Sequence, residues 1–217
     1  MKEIKNDVIK NFYNSVAGKY SDLFCNELDA RPLERKLLDM FLERINNDEI
    51  ILDIGTGPGE IAGYLGKKRK NVVGIDLSDE MISYAKSNYP GVEFLVQDLM
   101  SLNFKNSSIM GITAFYAIVH FDYEQIQMAF KEFYRVLKKG AEGLISVWNS
   151  SDIRFKDVNY HGDIYMSWRK DGKEHMRYYY LYEKDELKKL LKKCGFNTEK
   201  IYYDSKKMNI IAEISKP

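Results

Sequence analysis

The sequence predicts an α/β protein built on a seven-stranded, mostly parallel sheet with helices on both faces. Two observations carry that prediction. Short apolar runs, as in Ile50-Ile51-Leu52-Asp53-Ile54, alternate with stretches of helical spacing from residue 50 to residue 148, a pattern that buries each strand on both faces. An amphipathic helical preface precedes this alternation, and a helix with two further strands closes it.

In the preface, from Val8 to Ile45, apolar residues recur at Leu33, Leu37, Leu38, Phe41, Leu42 and Ile45. The first strand, Ile50–Ile54, runs into a glycine cluster, and helical spacing resumes at Ile61, Ala62, Tyr64 and Leu65. A second strand at Asn71–Asp76 leads to a helix over Asp79–Asn88, with Ser78 as its N-cap. Val92–Val96 reads as a third strand and Ser108–Ala117 as a fourth. A long helix at Tyr123–Leu137 is expected to end at Lys138-Lys139-Gly140, followed by a fifth strand at Gly143–Trp148. From Asn149 to Tyr180 no period survives, which implies an irregular insertion covering a site. Tyr182–Cys194 is helical again with Gly195 as its stop, and strands follow near Thr198–Tyr203 and Met208–Ile214. One domain accommodates all of this: a helical lid at 1–45, a ligand-binding core at 46–149, a substrate cap at 150–180, and a closing helix and strands at 181–217.

Bulk properties narrow the functions. Among 217 residues, 33 Lys and Arg nearly cancel 32 Asp and Glu, so no net field draws in a polyanion and no nucleic acid partner is expected. Cys25 and Cys194 lack metal or redox spacing and read as reduced packing residues, and no metal is expected. No apolar run of about 18 residues can span a bilayer, so neither membrane association nor export is expected and the protein reads as cytoplasmic. Sixteen Tyr and eleven Phe supply material for an aromatic pocket. Oligomeric state is not legible.

The chemistry concentrates in Asp53-Ile54-Gly55-Thr56-Gly57-Pro58-Gly59, between a strand and a helix. Glycines there let the backbone bend sharply and approach a ligand. The dinucleotide fingerprint GxGxxG would need a glycine at 60, where Glu60 stands, so NAD or FAD fits poorly. An acid at the turn, Asp53, suits a cationic amino acid arm better than a pyrophosphate. Asp76, at the tip of the second strand, is placed to accept both hydroxyls of a ribose. Asp98, after Gln97 at the end of the third, is placed to accept the amine of an adenine. Together they suit a nucleoside carrying a positive arm.

These segments, LDIGTGPGEIAGYL, VVGIDLSDEMISYAK, VEFLVQDLMSLNF and FYAIVHF, resemble the Rossmann-like class I S-adenosylmethionine-dependent methyltransferases, closely over residues 50 to 150 and in layout elsewhere. The resemblance implies S-adenosyl-L-methionine as cofactor, its methionine portion at Gly55, Thr56, Gly57 and Gly59 with Asp53 nearby, and its ribose on Asp76. It places adenine among Leu77, Met81, Gln97 and Leu99 with Asp98 at the amino edge. Phe115 and Tyr116 would wall the methyl-donating end. FYNSVAGKY, residues 12–20, resembles the family's lid segment, with Tyr20 facing the ligand. In the fourth strand, Ser107-Ser108-Ile109-Met110-Gly111 stands where the family often has an Asp, which weakens the strand prediction.

Methyl transfer is an in-line displacement and needs no nucleophilic side chain; a base is needed only if the acceptor must lose a proton. His120, just past the fourth strand, with an unperturbed value of about 6.5, and Tyr20 are the candidates. Tyr116, His120 and Tyr178 are the expected acceptor contacts. Only alternate members of Tyr178-Tyr179-Tyr180 can face a pocket from an extended segment. His161, His175, Arg169 and Arg177 read as solvated. Without Asn-Pro-Pro, Asp-Pro-Pro or Pro-Cys, amide, adenine and cytosine acceptors are disfavoured, leaving a small-molecule acceptor by subtraction. A nicotinamide-dependent oxidoreductase and a non-catalytic nucleoside-binding regulator stay open as alternatives.

Overall fold

The computed structural model describes residues 2–24, 26–69, 71–152, 155, 162–170 and 173–217; Cys25 and His161 lie outside them. Helix α1 spans Lys2–Phe24, a short 3-10 turn covers Glu27–Ala30, and α2 spans Pro32–Glu43. The alternating core follows: β1 (Ile51–Ile54), α3 (Glu60–Gly66), β2 (Val72–Asp76), α4 (Asp79–Asn88), β3 (Glu93–Val96), β4 (Ile109–Phe115), α5 (Tyr123–Val136) and β5 (Leu137–Trp148). Then come β6 (Gly162–Lys170), β7 (Lys173–Leu181), α6 (Lys184–Lys193), β8 (Asn197–Tyr203) and β9 (Asn209–Ser215).

The expected sheet is present. Its order is β3-β2-β1-β4-β5-β9-β8, parallel from β3 through β5 and antiparallel at the β5/β9 and β9/β8 pairs. Successive side chains of a strand point to opposite faces, so Leu52 and Ile54 join one apolar core while Ile51 joins the other. The first core takes Phe130 and Phe133 of α5 and Leu187 and Leu191 of α6; the second takes Leu38 and Phe41 of α2, Leu65 of α3 and Ile82 of α4. Covering both faces leaves the carboxyl ends of the parallel strands as a crevice. Ser78 caps α4 as expected, its hydroxyl accepting from the Met81 N–H at 3.1 Å.

Two elements differ from expectation. Lys138-Lys139-Gly140 does not close a helix: α5 ends at Val136, and β5 begins at Leu137, opposite Ile109. After a bulge the strand resumes, and the Gly140 N–H donates to the Lys216 carbonyl at 2.8 Å. The insertion is not wholly irregular, because β6 and β7 form an antiparallel hairpin registered from Gly162 opposite Leu181 to Lys170 opposite Lys173. Ile164, Met166, Arg177 and Tyr179 share one face of it, and Tyr165 and Tyr178 the other. Tyrosine, being both apolar and polar, hides this period of two in the sequence.

Helix α5 starts the return from the crevice and carries a capping box. The Asp122 carboxylate accepts from the Gln125 N–H at 3.0 Å, and the Gln125 side chain accepts from the Asp122 N–H at 3.1 Å. Asp122→Ala is expected to lower stability by about 1 kcal/mol in urea unfolding. An unchanged midpoint would show that this end of the helix is held by packing alone.

Candidate functional site

Three adjoining hollows open at the carboxyl ends of the parallel strands, and Tyr20 of α1 and Tyr116 after β4 line all three. The first lies over β1, β2 and β3. Gly55, Gly57, Asp76, Leu77, Met81, Gln97, Asp98, Leu99, Phe115, Tyr116 and His120 line it, so most of the expected ligand contacts meet in one place. The second lies behind the glycine turn and takes in Asp53, Thr56, Gly57, Glu60, Glu27, Arg31 and Glu34. The third, about 330 Å³, lies between α1 and the β6–β7 hairpin.

The glycine turn has backbone angles that only glycine adopts without strain: φ is 66° at Gly55, 53° at Gly57 and 92° at Gly59. At Gly55 a Cβ would come within 2.4 Å of the Ala117 Cβ, whereas at Gly57 it would meet nothing within 4 Å. Gly57 thus presents bare backbone to the hollow. Gly59, expected at the ligand, lines none of these three hollows: a side chain there would meet Ala85, Phe94 and Tyr89 at 3.0 Å, so its role is close packing of helix on sheet.

The acids divide into two kinds. Asp53 is 2% exposed, and its carboxylate accepts from the Thr56 hydroxyl at 2.6 Å, the Thr113 hydroxyl at 2.7 Å and the Ala62 N–H at 3.2 Å. Burial pushes it up to about 6 against those donors. Asp53 touches the second hollow, yet its hydrogen bonds go to the fold, and Thr56 is held in the same knot. Asp76 accepts from the Gly57 and Ser78 N–H groups, each at 2.9 Å, and burial raises its pKa. A carboxylate has about four lone-pair sites, so acceptor capacity remains for a diol. Asp98 accepts from the Met100 N–H at 2.8 Å, and Gln97 from the Asn103 N–H at 2.9 Å. In the second hollow, burial pushes Glu60 up to about 7, opposed by the Leu28 N–H at 2.7 Å. Among the described residues Arg31 is the one cation there; it pairs with Glu27 and with Glu34 and donates to the Tyr116 hydroxyl.

His120 lines the first and third hollows. Its Nδ1 lies 3.1 Å from the Tyr178 carbonyl, which can only accept, so Nδ1 carries the hydrogen and Nε2 accepts from the Tyr13 hydroxyl at 2.5 Å. Burial moves the ring down to about 4, away from the unperturbed value expected for a base. Tyr13 was not singled out by the sequence, because a partner 107 positions away leaves no local signal. Tyr20 packs on Phe24 at 4.4 Å between ring centres, and burial raises its hydroxyl pKa strongly. Lowered, His120 is a weaker base, and raised, the Tyr20 hydroxyl keeps its own proton, so neither is poised to take up a proton near neutral pH.

Two expectations for the cap are corrected. Tyr178 does not face the cavity; its hydroxyl donates to Asp163 on the outer face of the hairpin, and only its backbone carbonyl reaches the site, through His120. Tyr179 takes the inward position, stacked on Trp148 at 4.4 Å and 17°. Arg177, read as solvated, lines the third cavity, with its guanidinium 4.6 Å from the Phe12 ring centre and 5.0 Å from that of Tyr179. Among the described residues there is no cluster of three or more His, Cys, Asp or Glu able to hold a metal, and no helix long and apolar enough to cross a membrane.

Comparison with known proteins adds an independent line. Residues 51–140 match the model of a methyltransferase domain family. The chain is 37% identical over 140 residues to a demethylmenaquinone methyltransferase of Chlorobaculum tepidum, covering 61% of this chain and 56% of that protein. It is 33% identical over 144 residues to a ubiquinone/menaquinone biosynthesis C-methyltransferase of Rickettsia prowazekii, covering 60% and 56%. The chain therefore spans about half the length of the curated relatives it matches. In fold it is similar to an S-adenosylmethionine-dependent methyltransferase of Methanosarcina mazei (TM-score 0.70, 22% identity, 82% of this chain and 96% of that one). It is also similar to magnesium protoporphyrin IX methyltransferase of Synechocystis, solved with bound S-adenosylhomocysteine (TM-score 0.75, 13% identity, 97% and 99%).

The His120 environment makes a measurable statement. Its folded value of about 4 lies below the unfolded value of about 6.5, so the unfolded chain takes up the proton first. The stabilisation from a neutral ring is therefore full above pH about 6.5 and is lost as pH falls toward 4. An NMR titration is expected to place the ring midpoint near 4, and His120→Gln is expected to flatten the fall in stability between those limits. A midpoint near 6.5 would mean that the ring is solvated and the Tyr13 contact is not formed.

Proposed function

We propose that the chain is a class I S-adenosylmethionine-dependent methyltransferase that transfers a methyl group from S-adenosylmethionine to a small-molecule acceptor held between α1 and the β6–β7 hairpin, a reading supported by the family match, the curated relatives and the fold. One observation carries the reading. The strand-tip carboxylates Asp76 and Asp98 and the bare backbone of Gly55 and Gly57 line one hollow, which adjoins an aromatic cavity at Tyr20 and Tyr116.

The residues suit the cofactor in detail. Asp76 keeps lone pairs for the ribose hydroxyls, and Leu77, Met81 and Leu99 offer apolar faces for adenine beside Asp98. Glu27, Glu34, Asp53 and Glu60 outnumber Arg31 in the second hollow, and Arg31 is itself paired with Glu27 and Glu34, so the hollow favours an ammonium group. When bound, the cofactor supplies an electrophilic methyl group on a sulfonium. The protein's part is alignment and exclusion of water. Phe115, Tyr116 and Tyr20 form an aromatic collar between the hollows. His120, neutral and already accepting from Tyr13, positions that hydroxyl and takes up a proton only when Tyr13 turns away.

In this reading α1 is the lid, residues 162–181 are the acceptor cap, and the whole chain works as one catalytic domain. A chain with near-zero net charge offers no field for nucleic acid, and two cysteines without scaffold spacing suit a reducing compartment, so we place it in the cytoplasm.

Calorimetry with S-adenosylhomocysteine tests the cofactor. Binding is expected for the parent chain, and Asp76→Asn is expected to weaken it by about tenfold or more through loss of charged hydrogen bonds. Stabilisation by NADH in its place would favour an oxidoreductase. Transfer of labelled methyl should then be sought across an acceptor panel that begins with demethylmenaquinone, the compound for which curated relatives are named. Tight binding with no transfer to any acceptor would leave a regulatory nucleoside-binding module.

A further inference from the structure

The second hollow holds more negative charge than its own contacts neutralise. Glu27 and Glu34 share the single Arg31 guanidinium. Asp53, the acid that the sequence assigned to the amino-acid arm, directs its lone pairs to the Thr56 and Thr113 hydroxyls and the Ala62 N–H. Glu60 is the fourth acid of the lining, and its situation differs from the other three. Among the described residues its one hydrogen bond is at Oε1, which accepts from the Leu28 N–H at 2.7 Å, so Oε2 has no partner. That bond also fixes the carboxylate in place, because it ties the first residue of α3 to the 3-10 turn at Glu27–Ala30.

The hollow is reached from the nucleoside side. Gly55, Gly57, Tyr20, Phe115 and Tyr116 line both the first hollow and the second, so the two adjoin over the Gly57 backbone, where no side chain stands in the way. A nucleoside seated over β2 and β3 with its ribose at Asp76 therefore extends its arm toward Glu60. The charges around Glu60 decide which end of that arm it accepts. Burial is the largest influence on it; Glu27 and Asp29 of the 3-10 turn add to that effect, Arg31 at the N-cap of α2 opposes it, and together they push the carboxyl up to about 7. Glu34 of α2, Asp53 of β1, Tyr20 of α1 and Tyr116 after β4 complete the titratable lining. A carboxyl in these surroundings ionises fully when a cation is brought against it. An ammonium is such a cation and carries three donors, whereas a carboxylate placed there would meet Glu27, Glu34 and Glu60 together.

We propose that Glu60, rather than Asp53, receives the ammonium group of the cofactor's amino-acid arm. The proposal rests on the methyltransferase reading for the identity of the ligand. It makes seating of the arm an exchange of cations: below pH about 7 the empty site carries a proton on Glu60, and the incoming ammonium releases that proton to water. Affinity for the ammonium therefore rises as pH increases toward 7 and levels off above it.

Calorimetric titrations with three probes test this: S-adenosylhomocysteine, its decarboxylated form, which keeps the ammonium, and its desamino form, which keeps only the carboxylate. The parent chain is expected to bind the first two at least about tenfold more tightly than the desamino form. Glu60→Gln retains an acceptor for the Leu28 N–H, and it should bring both down to the level of the desamino form while leaving that form's own affinity unchanged. At pH about 6.5, titrations of S-adenosylhomocysteine in buffers of different ionisation enthalpy should show a proton released by the parent chain and none by Glu60→Gln. Equal binding of the decarboxylated and desamino forms by the parent overturns the proposal and leaves the methyltransferase reading in place, as does a preference or a proton release that survives Glu60→Gln. A fall of all three affinities together in Glu60→Gln overturns it as well, because it marks a packing role. Failure of all three probes to bind the parent chain overturns both the proposal and the cofactor reading.

Discussion

The Asp53 carboxylate, buried at the end of β1, is the constraint on which the rest of the site depends. It accepts hydrogen bonds from Thr56 in the turn, Thr113 in β4 and Ala62 in α3, and so joins two strands and a helix at the point where the chain must reverse. An ionised group withdrawn from water is tolerated only when its lone pairs are used in this way. With the knot in place, Thr56 is held against both Asp53 and the Ile75 carbonyl, and Gly55 and Gly57 are left in left-handed conformations with their backbone exposed to the hollow. The same turn aims the Gly57 N–H at Asp76. Asp76 is therefore positioned through Asp53, whose own hydrogen bonds are taken up by the fold.

From that point the topology does the remaining work. Parallel pairing of β1 with β2 and of β2 with β3 brings Ile54, Asp76 and Val96 to one edge of the sheet, so residues 22 and 20 positions apart become neighbours without any long-range side-chain recognition. Parallel pairing of β4 beside β1 delivers Phe115 and Tyr116 to the same edge. Tyr116 has φ of 59°, an uncommon conformation for an aromatic residue, and is held by the Arg31 guanidinium over its ring at 4.9 Å and at its hydroxyl. The resulting crevice is electrostatically uneven. Its β2, β3 and glycine-turn side is rich in acids, whereas its hairpin side carries Arg177.

What the sequence made legible follows from the range of the forces involved. Strand tips and the glycine turn are set by local rules, so Gly55, Gly57, Asp76, Leu77, Met81, Gln97, Asp98 and Leu99 could all be assigned to one hollow from their spacing and family resemblance alone. Asp53 could be found but not sorted, since its partners Thr113 and Ala62 become visible only when β4 and α3 pack around it. Gly59 is indistinguishable in sequence from its two neighbours, and only the rings of Tyr89 and Phe94 behind it reveal a packing role. The hairpin was hidden because tyrosine satisfies both faces of an alternating pattern. With its parity unknown, Tyr178 and Tyr179 could not be told apart. Tyr13, Arg177 and the depressed pKa of His120 belong to tertiary contacts across 50 to 170 residues, for which no local signal exists.

Those same long-range contacts say where the site is weakest. Helix α1 buries Val16 and Ala17 and leaves Val8 and Leu23 largely exposed, so its apolar anchoring is slight beside that of α5, which buries Ile126, Phe130, Phe133 and Val136. What holds it over the crevice is mostly polar or aromatic: Tyr13 to His120, Asn14 to the Ser78 hydroxyl at 2.5 Å, Lys10 to Asp79 at 2.9 Å, and Phe12 under Arg177. Exposed ion pairs add little, and hydrogen bonds that water can replace add about 1 kcal/mol each. Elements with few buried apolar contacts open at lower free energy than the core they cover. Helix α1 walls all three hollows through Tyr20, so its release would open them together. Its return would restore the Tyr13–His120 and Phe12–Arg177 contacts in the same movement, which couples the seating of α1 to the order of the third hollow.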